Sequence, residues 1–364
     1  MLASVQIVAG LVTLIVGGEL LVRGASAIAT AMRIPPLIIG LTVVAFGTSA
    51  PELGVSLQAA YAGSVDVAVG NVIGSNIFNV LFVLGLSALF APLIVSSQLI
   101  RFDVPLMIGA SILTWWLARD GGLSRLDGLW LFGLLVVYLL MCFFNGRRKP
   151  TASAAPAIPT EDLVDEAEAA PRRLPLQFVY MVAGLVGLTF GAKWLVTGAV
   201  SVATWMGVSE LIIGLTIVAI GTSLPEIVTS VVASIRGERD IAVGNVVGSN
   251  LFNLGCVLGI SSIVAPQGIP VGAEALAFDM PVMIAVAAVC FPIFFTGQVI
   301  ARWEGGLFLV YFVAYTTLLI VSQTHPSLAE QYRWVLGYVV VPLTLLTVAG
   351  SFLMSLRQPA HVEN

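Results

Sequence analysis

Charge is scarce in this sequence: Lys, Arg, Asp and Glu make up 10% of its 364 residues. A soluble chain of this size needs far more polar surface, so a water-facing globular fold is excluded. Histidine is scarcer still, with only His325 and His361, both outside the apolar runs. A histidine metal site and a nucleophile–histidine pair are therefore not expected within membrane segments, and no enzyme chemistry is visible. The three cysteines, Cys142, Cys256 and Cys290, lie inside apolar runs and read as small core residues, not as a disulfide frame. Alternation of apolar and polar residues, the mark of a membrane barrel, is missing. Stretches such as Leu129–Phe144 and Leu307–Val321 are apolar all round instead. The N-terminus lacks a basic segment before its first apolar run, so it reads as a spanning helix and not as a cleaved signal. No cofactor or nucleic-acid partner is expected, and no oligomer is implied.

What is abundant is apolar surface. Hydrophobic residues make up 58% of the chain, and the mean hydropathy is +1.02. Runs of about 20 apolar residues recur along the length, enough for a helix to cross a bilayer. The pattern predicts an all-α polytopic membrane protein with eleven spans, near 4–22, 36–61, 67–91, 98–118, 126–145, 175–197, 209–235, 241–264, 275–297, 304–322 and 334–356. Between the fifth and sixth lies an aqueous stretch, Asn145 to Arg173, rich in Pro, Ala, Ser and Thr and carrying Glu161, Asp162, Asp165, Glu166 and Glu168. Its low hydrophobicity predicts a flexible linker. The expected organisation is a first five-helix repeat over 1–145, a cytoplasmic linker over 146–174, a second five-helix repeat over 175–323, and an extra helix with a tail over 324–364.

Basic residues set the orientation. With the N-terminus outside, twelve fall on the inner face: Arg23, Arg33, Arg101, Arg147, Arg148, Lys149, Arg172, Arg173, Arg236, Arg239, Arg302 and Arg357. Arg119, Arg125, Lys193 and Arg333 fall outside. The bias places the C-terminus in the cytoplasm.

The strongest signal is internal. Gly40–Leu89 aligns with Gly214–Ile263 without a gap, and 28 of the 50 positions are identical. Shared hydrophobicity alone does not keep polar residues in register. Weaker echoes pair Gly17–Ala25 with Gly191–Ala199, and Phe102-Asp103-x-Pro105 with Phe278-Asp279-x-Pro281. Five spans per copy is an odd number, so the second copy enters from the opposite side. Such inverted repeats are typical of secondary transporters, with the substrate site near the midplane between the copies.

The repeat carries two acids, Glu52 and Glu226, at equivalent mid-span places. Burying an acid there is costly, so each is a functional-site candidate. At helical spacing, Thr48, Glu52 and Ser56 share one face, as do Thr222, Glu226 and Ser230. Asn71, Ser75 and Asn79 form a second stripe, repeated by Asn245, Ser249 and Asn253. Ser56, Ser230, Asn76 and Asn250 also suit simple hydrogen bonding between helices. Pro51 and Pro225 precede the acids and should free carbonyls around Gly47–Thr48 and Gly221–Thr222. Gly70, Gly74, Gly244 and Gly248 are expected to let helix backbones approach. Carboxylates, hydroxyls, amides and carbonyls are hard oxygen donors suited to calcium or sodium. Two unneutralised acids facing each other also favour a carrier that moves only when loaded. Glu19 reads as an acid near the inner end of the first span. Asp103, Asp279, Asp66 and Asp240 read as helix caps.

At G-T-S-A-P-E (Gly47–Glu52) with G-N-V-I-G-S-N-I-F-N (Gly70–Asn79), and at G-T-S-L-P-E (Gly221–Glu226) with G-N-V-V-G-S-N-L-F-N (Gly244–Asn253), the sequence resembles the calcium/cation antiporter superfamily, specifically prokaryotic sodium/calcium exchangers. The resemblance covers roughly residues 4–322. It implies a ten-helix core with alternating access in the cell inner (plasma) membrane. Calcium would sit between Glu52 and Glu226 with the carbonyls of Thr48 and Thr222. Sodium would use the same acids with Thr48, Ser49, Ser75, Thr222, Ser223 and Ser249, and Asn79 and Asn253 nearby. It also implies that the first and sixth helices slide across the other eight. Some relatives, including potassium-dependent ones, carry aspartate where Asn253 stands here, which argues against potassium co-transport. A proton-coupled calcium antiporter is the alternative reading.

Overall fold

The computed structural model describes residues 2–63, 65–146, 174–207, 219–295, 297–324 and 328. Residues 147–173 of the linker expected over 146–174, the first part of the seventh predicted span, His325, His361 and the predicted span 334–356 lie outside the described residues.

The fold is all-helical, as the apolar runs demand. We label the helices α1 (Leu2–Met32), α2 (Pro36–Thr48), α3 (Ala50–Ala62), α4 (Val67–Phe90), α5 (Leu99–Asp120) and α6 (Arg125–Phe144). The second half continues with α7 (Leu174–Trp205), α8 (Leu224–Ile235), α9 (Arg239–Val264), α10 (Ala275–Phe295) and α11 (Arg302–Thr324). A short turn, Ala219–Gly221, precedes α8. Eight of these helices are individually long and apolar enough to cross a bilayer, and α2 with α3 meets the same measure as a pair bent by 43°. The bend falls at Ser49, two residues before Pro51, whose ring and missing N–H disrupt the preceding turn.

Burial sorts the helices into layers. α4 and α9 have 78% and 89% of their most apolar window buried, against 33% for α1 and 22% for α7. The motifs Gly70–Asn79 and Gly244–Asn253 therefore lie on the two innermost helices, while α1 and α7 run along the outside. These two are longer than hydropathy predicts, reaching 31 and 32 residues. Glu19 consequently lies inside α1 and not near its end, and it pairs with Arg236 in the loop after α8.

α1 and α7 pack antiparallel through a ladder of glycines at seven-residue spacing, Gly10, Gly17 and Gly24 against Gly184, Gly191 and Gly198. A Cβ added at Gly184 would stand 2.5 Å from the Leu21 backbone nitrogen, and one at Gly10 would stand 2.6 Å from that of Leu195. Only glycine permits this approach of two helix backbones. Gly248 plays the same part where α9 crosses α2, since an added Cβ would lie 2.7 Å from the Leu41 carbonyl oxygen. Gly244 is close as well, at 3.0 Å from the Leu37 oxygen. A Cβ added at Gly70 or Gly74 meets no described atom within 4 Å.

Two short strand pairs join the halves. β1 (Leu93–Ile94) pairs antiparallel with β4 (Val299–Ile300), with Leu93 opposite Ile300. β2 (Gly122–Leu123) pairs with β3 (Ile269–Pro270), with Leu123 opposite Ile269. The 22-residue helix α5, about 33 Å long, runs between β1 and β2. The two staples therefore lie at opposite ends of the helical bundle, and each takes one strand from each half.

The capping roles expected for three acids are not what the structure holds. Asp103 has helical φ and ψ of −72° and −43° and makes no cap bond. It is fully buried and accepts a hydrogen bond from the Tyr138 hydroxyl at 3.1 Å, with the Gln98 amide at 3.4 Å. Asp279 likewise accepts one from Tyr315 at 3.0 Å. Helix geometry continues through both acids because a loosened, π-type turn precedes each of them. Asp240 falls inside the first turn of α9, after Glu238. The Asp66 side chain lies outside the described residues.

Candidate cation-binding site

The site grows from the two helix breaks. At Ser49 and at Thr222–Ser223 the chain leaves helical geometry, then restarts with proline in the first turn of α3 and α8. Proline suits that position because its missing N–H is unpaired there anyway. Each restart places a glutamate in the first turn of its helix, near the positive end of the helix dipole.

Glu52 and Glu226 are both fully buried, at 0% exposure. Their partners are crossed between halves. The Ser49 hydroxyl donates to Glu226 Oε1 at 3.1 Å, and the Ser223 hydroxyl donates to Glu52 Oε1 at 3.1 Å. Each serine precedes its own half's acid by three residues yet serves the acid of the other half. Ser223 also lies 3.4 Å from the Ser75 hydroxyl, tying the second stripe of the first half to the same place. Thr48 donates to Asn245 Oδ1 at 3.1 Å and lies 3.4 Å from Ser249. Hydrogen bonds thus join Glu226 with Ser49, Glu52 with Ser223 and Ser75, and Thr48 with Asn245 and Ser249, three buried groups that each take residues from both halves. Thr222 sits at the second break with a buried hydroxyl that has no hydrogen-bond partner among the described residues.

Asn79 and Asn253 lie one turn beyond Ser75 and Ser249 on the same helix faces. There α4 and α9 both widen to π geometry, over Asn79–Leu84 and Asn253–Leu258. Such widening re-aims side chains and recurs at functional sites. Besides the Thr222 hydroxyl, four buried oxygens of the predicted site residues have no hydrogen-bond partner among the described residues: Glu52 Oε2, Glu226 Oε2, Asn79 Oδ1 and Asn253 Oδ1. Buried acceptors of this kind are costly, and more so for carboxylates. The set consists of hard oxygens contributed equally by both halves, so a calcium or sodium ion is a chemically fitting partner.

Other polar residues support the helices that hold the site. The Asn71 amide donates to Ser56 at 2.9 Å and to the Glu52 carbonyl at 3.2 Å. The Asn245 amide donates to Ser230 at 2.9 Å, repeating the first bond in the other half. Ser56 and Ser230 therefore act as helix-to-helix links. Asn76 and Asn250 bond each other across the midline, the helix-to-helix bonding expected of them, and in addition accept from Asn253 and Asn79. Their signal was visible as polar residues repeated in register but lying off the stripes. The Asp103–Tyr138 and Asp279–Tyr315 pairs were missed, although both acids and both tyrosines recur between halves.

Comparison with known proteins agrees with this geometry. Residues 2–144 and 176–321 match the family described as Sodium/calcium exchanger protein. The chain is 38% identical over 293 residues to the inner membrane protein YrbG of Escherichia coli, covering 79% of this chain and 87% of that one. It is 30% identical over 341 residues to the sodium/calcium exchanger MaX1 of Methanosarcina acetivorans, covering 85% and 96%. Among solved structures it resembles the sodium-calcium exchanger NCX_Mj soaked with sodium and calcium, with a TM-score of 0.74 at 31% identity, covering 87% of this chain and 99% of that one. A fold with two crossed glutamates at its centre, and a family match across both halves, make this multi-pass membrane protein a member of the sodium/calcium exchanger family of cation antiporters.

Proposed function

We propose that this protein exchanges sodium for calcium by alternating access across the cell inner membrane, with its N-terminus outside and its C-terminus in the cytoplasm. Calcium binds between Glu52 and Glu226, helped by the carbonyls of Thr48 and Thr222. Sodium ions use the same acids with Thr48, Ser49, Ser75, Thr222, Ser223 and Ser249, and Asn79 and Asn253 complete the oxygen set. The observation that carries this reading is the pair of buried carboxylates, each held by a serine of the other half and each keeping one oxygen without a hydrogen-bond partner among the described residues.

The chemistry follows from charge. Two buried carboxylates match one divalent ion, while several kilocalories per mole attach to each buried charge left uncompensated. A carrier without bound cations therefore resists moving its site across the membrane, and one loaded with calcium or sodium does not. This couples the two fluxes with no covalent chemistry, and the protein is a transporter, not an enzyme. The names of MaX1 and NCX_Mj as sodium/calcium exchangers support the choice of ions, and that of YrbG as an inner membrane protein supports the location.

Calcium-45 uptake into sodium-loaded proteoliposomes tests the assignment. Wild-type protein should take up calcium only when sodium is inside, and Glu52→Gln and Glu226→Gln should each abolish uptake. Undiminished uptake in either variant would overturn the site. Uptake that follows an imposed pH gradient and ignores sodium would replace sodium coupling with proton coupling.

A further inference from the structure

We propose that Asn76 and Asn250 are positioning residues that fix the amide orientation of Asn79 and Asn253, so that the latter two offer oxygen and never N–H to the transported cation. The inference rests on the assignment of Asn79 and Asn253 to the cation site made above, and it deepens that assignment.

A side-chain amide has a donating end and an accepting end of nearly equal size, and its surroundings choose between them. For a cation ligand the choice decides everything, because an N–H turned toward the ion repels it. Here the choice can be traced from a fixed point. Backbone carbonyls only accept. The Asn250 Nδ2 lies 3.3 Å from the Asn76 carbonyl oxygen, and the Asn76 Nδ2 lies 3.4 Å from the Asn250 carbonyl oxygen. The same nitrogens face thioethers that also have no hydrogen to give, Met107 Sδ at 3.5 Å and Met283 Sδ at 3.6 Å. The NH2 ends of Asn76 and Asn250 are therefore committed, and their Oδ1 atoms point the other way.

Those oxygens then set the next pair. Asn250 Oδ1 accepts from Asn79 Nδ2 at 3.1 Å, and Asn76 Oδ1 accepts from Asn253 Nδ2 at 3.1 Å. With their nitrogens held, Asn79 and Asn253 turn their own Oδ1 atoms away from the clasp, and these are the two amide oxygens without a partner among the described residues. None of the four asparagines is more than 2% exposed, so water does not compete for the bonds. The control is crossed: the second half orients the ligand of the first, and the first orients that of the second. A merely adhesive pair of asparagines would not need this alternation of donor and acceptor.

The test uses full-length protein in sodium-loaded proteoliposomes and reads the calcium concentration for half-maximal uptake. Asn250→Ala should raise it about tenfold or more, as loss of an orienting partner does for metal ligands. Aspartate at position 79 accepts at both ends and needs no orienting. The double variant Asn79→Asp/Asn250→Ala should therefore lose little relative to Asn79→Asp alone. Asn253→Asp/Asn250→Ala should still show the full loss relative to Asn253→Asp. Asn76→Ala should show the mirror pattern, relieved by Asn253→Asp and not by Asn79→Asp. Equal losses in both aspartate backgrounds, or unchanged half-saturation in Asn250→Ala, would overturn the proposal. A wild type that takes up no calcium would instead defeat the functional reading. Asn250→Ser replaces Asn250→Ala if the latter elutes as aggregate, and a serine variant whose misfolding Asn79→Asp leaves uncorrected also counts against the proposal.

Discussion

Ser49 and Ser223 each donate to a carboxylate that belongs to the opposite half. A hydrogen bond to a buried charged group is worth about 1.5–3 kcal/mol, so losing one hydroxyl should cost about tenfold or more in ion affinity. Ser49→Ala and Ser223→Ala are each expected to raise the calcium half-saturation in uptake assays by a similar factor. A loss confined to one variant would show that the halves do not share the load. Tyr138 belongs to a different class. Its hydroxyl donates to Asp103 and not to either glutamate. Tyr138→Phe leaves that buried acid with only the 3.4 Å contact to Gln98 among the described residues, a deficit of about 1–3 kcal/mol. It should lower the melting temperature in detergent while the calcium half-saturation of the folded fraction stays unchanged. The sequence made the acids, hydroxyls and amides legible because they repeat in register where apolar residues are the rule. It did not reveal which serine serves which acid, because that crossing exists only after the two halves interlock. Nor did it separate a capping aspartate from a buried one, since Asp103 lies at the start of a predicted span and the helix in fact continues through it.

Among the elements, α1 and α7 depend most on what is missing from their side chains. Gly17 and Gly184 sit where the two backbones nearly touch, with added Cβ atoms falling 2.8 Å from the Leu188 nitrogen and 2.5 Å from the Leu21 nitrogen. Backbone cannot yield as a flexible side chain can, so Gly17→Leu or Gly184→Leu should force the pair apart. The expected result is loss of monodisperse protein in detergent, or folded protein with uptake abolished. Gly109 is exposed on α5, and an added Cβ there meets no described atom within 4 Å. Gly109→Ala should be neutral or slightly stabilising, by up to about 1 kcal/mol. The breaks before α3 and α8 were foreseeable from Pro51 and Pro225. The true lengths of α1 and α7 were not, because Glu19, Arg23 and Lys193 lower local hydropathy in helices whose ends extend past the apolar core.

At the scale of the molecule, the two halves are joined at three levels: a strand pair at each end of the bundle and the acid–serine crossing between them. The repeat in the sequence, read with an odd number of spans, anticipated two inverted halves with the site between them, but neither the strand pairs nor the crossing. The bias of basic residues also makes orientation testable. A green fluorescent protein fused to the C-terminus should fluoresce in cells, and an alkaline phosphatase fused there should be inactive. The opposite pattern would reverse the assigned sidedness.

The pairing of Glu19 with Arg236, and of Ser26 with Glu238, ties α1 to the loop after α8. The repeat relation puts Lys193 and Ala62 in the places of Glu19 and Arg236, and Val200 in that of Ser26. No equivalent tie can form from those side chains. If α1 and α7 slide as the family resemblance implies, one posture carries this tie and the mirrored posture does not. An exposed ion pair contributes at most about 1 kcal/mol, or about a fivefold preference between postures. Membrane sidedness is then written into the protein itself: calcium offered from the two sides should meet unequal apparent affinities, and Arg236→Gln should bring them closer together.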